Sequence, residues 1–366
     1  MTRATRRFRL ITSAIAFAAM PLGSQGAPVS RSVRVCSGGD VAMGTNLDTR
    51  WAVGRVFQGR PVRAIPDPTT LIPPLVPIFA AADVALLNVE GAIGSGSAPT
   101  KCSGRSNLCF AIRQPPGTEQ ALRAIAPRAT VVGNIANNHA RDAGPAGFAE
   151  TRRRLTEAGV LVTGADSIAT PVPVGPGDTI GVLGFSSGNH PSVLDLAAVR
   201  RYVERAAAQY GRVIVTMHIG AEGAKARRTP DRLEMFAGER RGNSVAFARV
   251  ASEAGASMVI GHGPHVLRGI EWVGRTLVAH SLGNLLTYGA FTMSGYNGRA
   301  AVLCGTLEAD GSVTGVVAHP TKQVPPGIVS ADPDSLALGD LRELSGLDFP
   351  RTGAVIGADG SVTRRP

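Results

Sequence analysis

The stretch from Leu194 to Glu222 reads LDLAAVRRYVERAAAQYGRVIVTMHIGAE and decides the fold. Its first half sets Val199, Val203 and Ala206-Ala207 on one stripe, with arginines opposite, which is the pattern of a helix that buries one face. Its second half begins with Val213–Met217, an uncharged apolar run that reads as a strand buried on both faces. The run gives way to His218-Ile219-Gly220-Ala221-Glu222, so a histidine and a carboxylate stand at the strand's exit. A covered strand with polar groups at its end is the unit from which α/β sheets build sites along their carboxyl edge.

The alternation extends in both directions. Val33–Cys36, Val84–Val89, Thr130–Asn134, Thr179–Phe185 and Met258–Ile260 are further short apolar runs, expected as buried strands. Helices are expected at Glu119–Ala126, Ala146–Ala158, Leu194–Gln209 and Ser244–Ala254. Strand, helix, strand in this order implies a mostly parallel sheet with covered faces. Later, Thr276–His280, Ala300–Leu307 and Val313–His319 lie close together, with Asp310-Gly311 as a hairpin turn between the last two. A mixed sheet or a second sheet is therefore expected to close the fold. From about Pro325 the chain is rich in Pro, Asp and Gly, with one short helix at Leu336–Leu347. The expected organisation is a leader over 1–26, one domain over 30–325 and a tail over 326–366.

Polar donors recur at the strand exits. Gly39-Asp40 follows the first strand, Asn88-Val89-Glu90-Gly91 closes the second, and Asn137-Asn138-His139 with Asp142 follows the third. Gly261-His262-Gly263-Pro264-His265 follows Met258–Ile260. Any one of these has an ordinary explanation, since Asp after Gly is a common turn residue and a strand-end histidine is commonly a satisfied core group. Their joint occurrence points further. Four of the chain's seven histidines fall in these segments, and imidazole mixed with carboxylate suits divalent Mn, Fe or Zn.

Composition sets the frame. The chain has 366 residues, 44% hydrophobic and 18% charged, which is globular rather than disordered. Arg3, Arg6, Arg7 and Arg9 form a basic head before the apolar run Leu10–Leu22, and small Ser24 and Gly26 precede Ala27. This reads as an export signal cleaved near Gly26, delivering the protein to the periplasm or the outside; an uncleaved anchor is the competing reading. The pair Arg6-Arg7 hints at a twin-arginine signal. The leader holds four Arg and no acid, so the formal charge of +11 falls to +7 without it. The remaining excess is scattered Arg with no basic run interleaved with aromatics, so nucleic-acid binding is not expected. A positive surface suits an anionic polymer, a small anionic substrate or peripheral contact with an anionic envelope, or is simply solvated. Four cysteines in an exported chain usually pair. Cys102 and Cys109 flank a turn-rich loop that a disulfide can staple, while pairing of Cys36 with Cys304 requires their two strands to be neighbours.

Taken in order from about Val33 to Thr287, Asp40, Asn88-x-Glu90, Asn137-Asn138-His139, His218-x-Gly220-x-Glu222, Gly261-His262-x-Pro264-His265 and Ser281-Leu282-Gly283-Asn284 resemble the CapA family of poly-γ-glutamate capsule biosynthesis proteins. That family is similar in fold to the calcineurin-like metallophosphoesterases. The resemblance implies an α/β protein built as a four-layer α/β/β/α sandwich of two mixed sheets. By position it implies that Asp40 and Glu90 are metal carboxylates, with Glu90 bridging where two ions bind. Asn138 would offer a side-chain oxygen, and His218, His262 and His265 would be imidazole ligands. His139 would be the proton donor, oriented by Asp142, and Glu222 an outer group or a general base. Two positions depart from the pattern. Metallophosphoesterases place a histidine two residues after the first aspartate, where this chain has Ala42, and their last motif is His-x-His, whereas here two residues separate His262 from His265. One of two metal positions is thus a ligand short, and the site takes one ion or two. His280 replaces the family's tyrosine and is unassigned, and His190 and His319 are expected to be ordinary histidines.

Two functions compete on these grounds. One is metal-dependent hydrolysis of a phosphoester or amide bond in envelope or capsule polymer metabolism. The other is a non-catalytic component of poly-γ-glutamate synthesis or export that binds an anionic polymer. A Ser/His/Asp hydrolase is poorly supported, because Ser281-Leu282-Gly283-Asn284 lacks a Gly-x-Ser-x-Gly elbow. The loops Pro61–Pro74 and Gly94–Pro116 are long enough to shape a site, and Arg105 and Arg113 within the second can meet an anionic substrate or merely solvate it.

Overall fold

A computed structural model describes residues 31–46, 67–95, 110–188, 191–289 and 291–366, together with Met1 and the short pieces 54, 56–57 and 60–61. The leader, Cys102, Cys109, Arg105 and His190 lie outside the described residues. The main elements are, in chain order, β1 (Val33–Ala42), β2 (Val84–Val89), α1 (Thr118–Ile125), β3 (Thr130–Asn134), α2 (Gly144–Glu157), β4 (Leu161–Thr163), β5 (Thr170–Gly175), β6 (Asp178–Ser186), α3 (Leu196–Tyr210) and β7 (Val213–His218). They continue with β8 (Glu234–Phe236), β9 (Glu239–Gly242), α4 (Ser244–Glu253), β10 (Met258–His262), β11 (Ile270–Val273), β12 (Thr276–Ala279), β13 (Asn284–Thr287), β14 (Arg299–Leu307), β15 (Val313–Val324), β16 (Ile328–Ala331) and α5 (Leu336–Asp348).

Two mixed sheets form the centre. The first has the order β16-β15-β14-β1-β2-β3-β4 with β13 also paired to β1, and the second has the order β5-β6-β7-β10-β12-β11. Their strands alternate inward and outward with the period of two that a pleat dictates. Val84 and Leu86 of β2 face Ile180, Val182, Ile214 and Ile260 of the second sheet across the middle layer. The intervening Ala85, Leu87 and Val89 pack against Leu122 and Ile125 of α1 and Leu155 of α2. On the other outer face Leu183, Val213 and Val215 meet Val199 and Val203 of α3 and Phe247 of α4. The result is the four-layer α/β/β/α sandwich.

Helix α3 shows how sequence sets an element. The Asp195 side chain accepts a hydrogen bond from Ala198 N–H and caps its start. Gly211, at φ +70, closes its end. Full burial of Val199 and Val203 contributes roughly 1.5–3 kcal/mol each, more than helix propensity alone supplies.

Cys36 and Cys304 lie opposite one another in the antiparallel β1–β14 ladder and are joined by a disulfide. The segment 326–366, expected as a tail with one helix, has that helix but is packed into the domain. Ala337, Leu338 and Leu341 of α5 enter the layer between the sheets, β16 extends the first sheet, and Ala354 N–H donates to Ile270 C=O at 2.9 Å. Its Pro, Asp and Gly mark tight turns between packed pieces. Among the described residues no helix is long and apolar enough to cross a membrane.

Candidate metal centre

Strand register brings the polar exits together. In the first sheet Asp40 lies beside Asn88, and Asn88 beside Asn134; in the second, His218 lies beside His262. Asp40 sits where the β1 ladder shifts register and also neighbours Asn284 of β13. Gly39 makes this possible, because a Cβ there would lie 2.0 Å from the Gly283 carbonyl oxygen. Only glycine lets the Gly283 turn come so close, and that turn accepts the Asp40 N–H at 2.9 Å. Gly263, at φ +106, similarly keeps the loop after β10 against the His218 ring, 3.0 Å from where its Cβ would be.

The donors of Asp40, Glu90 and His265 converge, with one ligand atom from each lying within 4.8 Å of the others. His265 Nδ1 is 2.9 Å from Asn284 Oδ1 and 3.2 Å from Asp40 Oδ2, and Nε2 is 3.4 Å from Glu90 Oε1 and 3.8 Å from Glu222 Oε2. His265 adopts φ +58, a strained conformation for a non-glycine residue of the kind that collects at functional sites. His262 Nδ1 is 3.7 Å from Asp40 Oδ1. Asn88 Nδ2 donates to Asp40 Oδ1 at 2.8 Å and stands 3.4 Å from His218 Nδ1. Asn134 Nδ2 donates to Asn88 Oδ1 at 2.9 Å, so the asparagine row fixes the aspartate's orientation. From the other side His139 Nε2 lies 3.9 Å from Glu90 Oε1. Its Nδ1 is held by Asp142 Oδ2 at 2.6 Å, and the same oxygen accepts the Ile112 N–H at 2.8 Å.

Several buried atoms here have no hydrogen-bond partner: both carboxylate oxygens of Glu90, both ring nitrogens of His262, His218 Nε2 and Asn138 Oδ1. Leaving a buried polar group unpaired costs about 1–3 kcal/mol, so a cluster of such donors calls for a ligand. Oxygen and imidazole nitrogen in this mixture fit a divalent ion.

The charges agree. Burial pushes the Glu90 carboxyl well above the usual carboxylate range, reinforced by Asp40 and Glu222 and opposed by His265. Burial also acts to raise Asp40, but the hydrogen bond and charge of His265, with His262 and His218, hold it below that range. Burial works against protonation of His265, yet Glu90, Asp40 and Glu222 raise it well above the usual histidine value. Burial lowers His262 to about 4 and His218 well below its usual value. The acids therefore draw positive charge to the point where Asp40, Glu90 and His265 meet, and a cation bound there serves the same electrostatic purpose.

Of the expected ligands, Asp40, Glu90 and His265 form a tight set bordered by His262 and His218, while Asn138 has a buried oxygen with, among the described residues, no hydrogen-bond partner and no contact that ties it to that set. Glu222 is an ion-pair partner of Arg241. Ala42 is buried and has no donor side chain. Asn134, Asn284 and Arg241 join the site without having been assigned to it. Asn284 stood in a recognised motif, but nothing set Arg241 apart from the other arginines. His280 is a core residue, and His319 is partly buried on β15.

The family model described as bacterial capsule synthesis protein PGA_cap matches residues 34–288. The PGA biosynthesis protein CapA of Bacillus subtilis (strain 168) is 26% identical over 255 residues, covering 64% of this chain and 62% of that protein. The chain therefore spans less than two thirds of that relative's length. Among solved structures, a hypothetical protein from Thermus thermophilus aligns with TM-score 0.43 and 14% identity, covering 80% of this chain and 100% of that one. The 5'-nucleotidase precursor of the same organism aligns with TM-score 0.39 and 14% identity, covering 87% of this chain and 59% of that one.

Proposed function

This chain belongs to the bacterial capsule synthesis protein family PGA_cap, and from that premise we propose that it is an exported, metal-dependent hydrolase of a phosphoester or amide bond in envelope or capsule polymer metabolism. The observation that carries the reading is the set of unpartnered buried donors around the convergence of Asp40, Glu90 and His265. Asp40, Glu90, Asn138, His218, His262 and His265 would hold the ion. A divalent ion there supplies Lewis-acid polarisation of the scissile group.

The chain's own residues do the rest. Asn88 and Asn284 orient Asp40 and His265, as outer-shell partners orient ligands. His139 is the proton donor: Asp142 accepts from Nδ1, so the releasable proton of the imidazolium is on Nε2, the nitrogen facing Glu90. Glu222, paired with Arg241, acts as an outer group. The substrate is an anionic polymer or a small anion, and contact with the envelope is peripheral.

The test combines elemental analysis of the purified protein with phosphodiester and peptide substrate screens. His139→Ala is expected to lower turnover roughly 100- to 10,000-fold at unchanged metal content; equal turnover would remove His139 from the role. Ala42 favours a second reading, since a donor missing there leaves an incomplete two-metal site suited to gripping carboxylates. In that case poly-γ-glutamate binds without being cleaved and is released by chelator. Binding that a chelator leaves untouched would exclude metal-mediated grip.

A further inference from the structure

The hairpin β8–β9 lies outside both central sheets, yet it holds the loop that follows His218 and carries Glu222. The Arg241 carbonyl oxygen accepts the Gly220 N–H at 2.9 Å, and its guanidinium, only 4% exposed, grips the Glu222 carboxylate. From the hairpin's other strand, Glu234 forms a two-point ion pair with the buried Arg268, at 2.7 and 2.8 Å. Arg268 in turn donates to Ala221 C=O at 3.1 Å and to Ala226 C=O at 3.0 Å. Gly220, at φ +103, has no room for a side chain, because a Cβ would lie 2.8 Å from Arg268 Nη1. The loop is therefore tied by main chain, by side chain and by exclusion of volume.

These contacts fix where Glu222 ends. One of its oxygens is committed to Arg241, while the other stays 3.8 Å from His265 Nε2. Glu222 is a third carboxylate beside Asp40 and Glu90, and free of Arg241 it could turn a hard oxygen toward the same ion. We propose that Arg241 is a positioning residue that keeps Glu222 out of the ion's inner ligand set and so limits how tightly the centre holds a divalent cation. The inference rests on the metal-binding reading above. Its physical basis is that the guanidinium neutralises the carboxylate and holds one of its oxygens by a charge-assisted hydrogen bond.

A purely supporting role and this role differ in sign. If Arg241 only braced the loop, its loss would slacken the site and weaken cation binding. If it restrains Glu222, its loss releases a ligand and removes a nearby positive charge, so binding tightens. The experiment is calorimetric titration of metal-stripped full chain with Mn²⁺, with circular dichroism as a folding control. Arg241→Met is expected to bind Mn²⁺ about tenfold more tightly. Arg241→Met with Glu222→Gln should lose that gain, whereas Arg241→Lys should stay within about twofold of the native protein because the cation remains. Should Arg241→Met not fold, Arg241→Gln takes its place, with the same tightening expected. Unchanged or weaker binding by the folded variant overturns the proposal while leaving the metal site standing. A native protein that takes up no Mn²⁺ overturns both.

Discussion

Two buried clusters that contain histidine belong to this fold, and they are built in opposite ways. At His280 everything is paired: Nδ1 lies 3.2 Å from Ser244 Oγ, Nε2 lies 3.0 Å from Glu271 Oε1, and the ring stacks on Phe349 with centroids 4.7 Å apart. Thr352 Oγ1 donates to the other Glu271 oxygen. At the candidate metal centre, both nitrogens of His262, Nε2 of His218 and both oxygens of Glu90 are buried without partners. Folding satisfies the first cluster by itself and leaves the second with buried donors that could hold a cation. Burial alone does not distinguish a core histidine from a ligand; the unmet hydrogen-bonding capacity does.

The largest effect should come from removing charge at the centre. Asp40→Asn keeps the shape but lets His265, His262 and Asn88 share an amide instead of a carboxylate. We expect metal affinity to fall roughly 100-fold or more, read as metal per folded chain by elemental analysis. Full metal content in that variant would erase the contrast between the clusters.

His280→Ala should do the reverse. It leaves Glu271 buried without its main partner and opens a cavity under Phe349, a loss of about 3–5 kcal/mol. Metal content per folded chain should be unchanged. A variant that melts normally but loses metal would show that the two clusters are one system.

The sequence disclosed this contrast unevenly. The strand carrying Val84–Val89 was legible because burial on both faces forces a continuous apolar run. Several donors of the centre were legible because they stand at the end of such a strand beside a glycine, as Asp40 follows Gly39 and His262 follows Gly261. Strand β5 was not, because Pro171 and Pro173 interrupt its apolar pattern; it stands at a sheet edge beside β6, where proline is tolerated. Arg241 was hidden among the scattered arginines, since only the fold of the hairpin brings it to Glu222. The pairing of His280 with Ser244 and Glu271 was equally hidden, because partners 36 and 9 residues away leave no periodic mark.

The smallest effect sharpens the comparison through pH. His265 and Glu90 both have raised pKa values in the folded protein. A group of this kind binds its proton more tightly when folded, so its contribution is complete below the unfolded pKa and is lost as pH rises through the folded one. His262 and His218 are lowered and, above about pH 6.5, are largely neutral folded or unfolded; they add little slope there. The metal-free protein should therefore lose stability as pH rises above the usual histidine value of about 6.5, seen as a lower melting temperature in EDTA at the higher pH. Mn²⁺ should cancel the trend, because the ion replaces the protons that His265 and Glu90 give up. A melting temperature that rises with pH in EDTA, or falls equally with and without Mn²⁺, would mean that the unpartnered donors are not waiting for a cation.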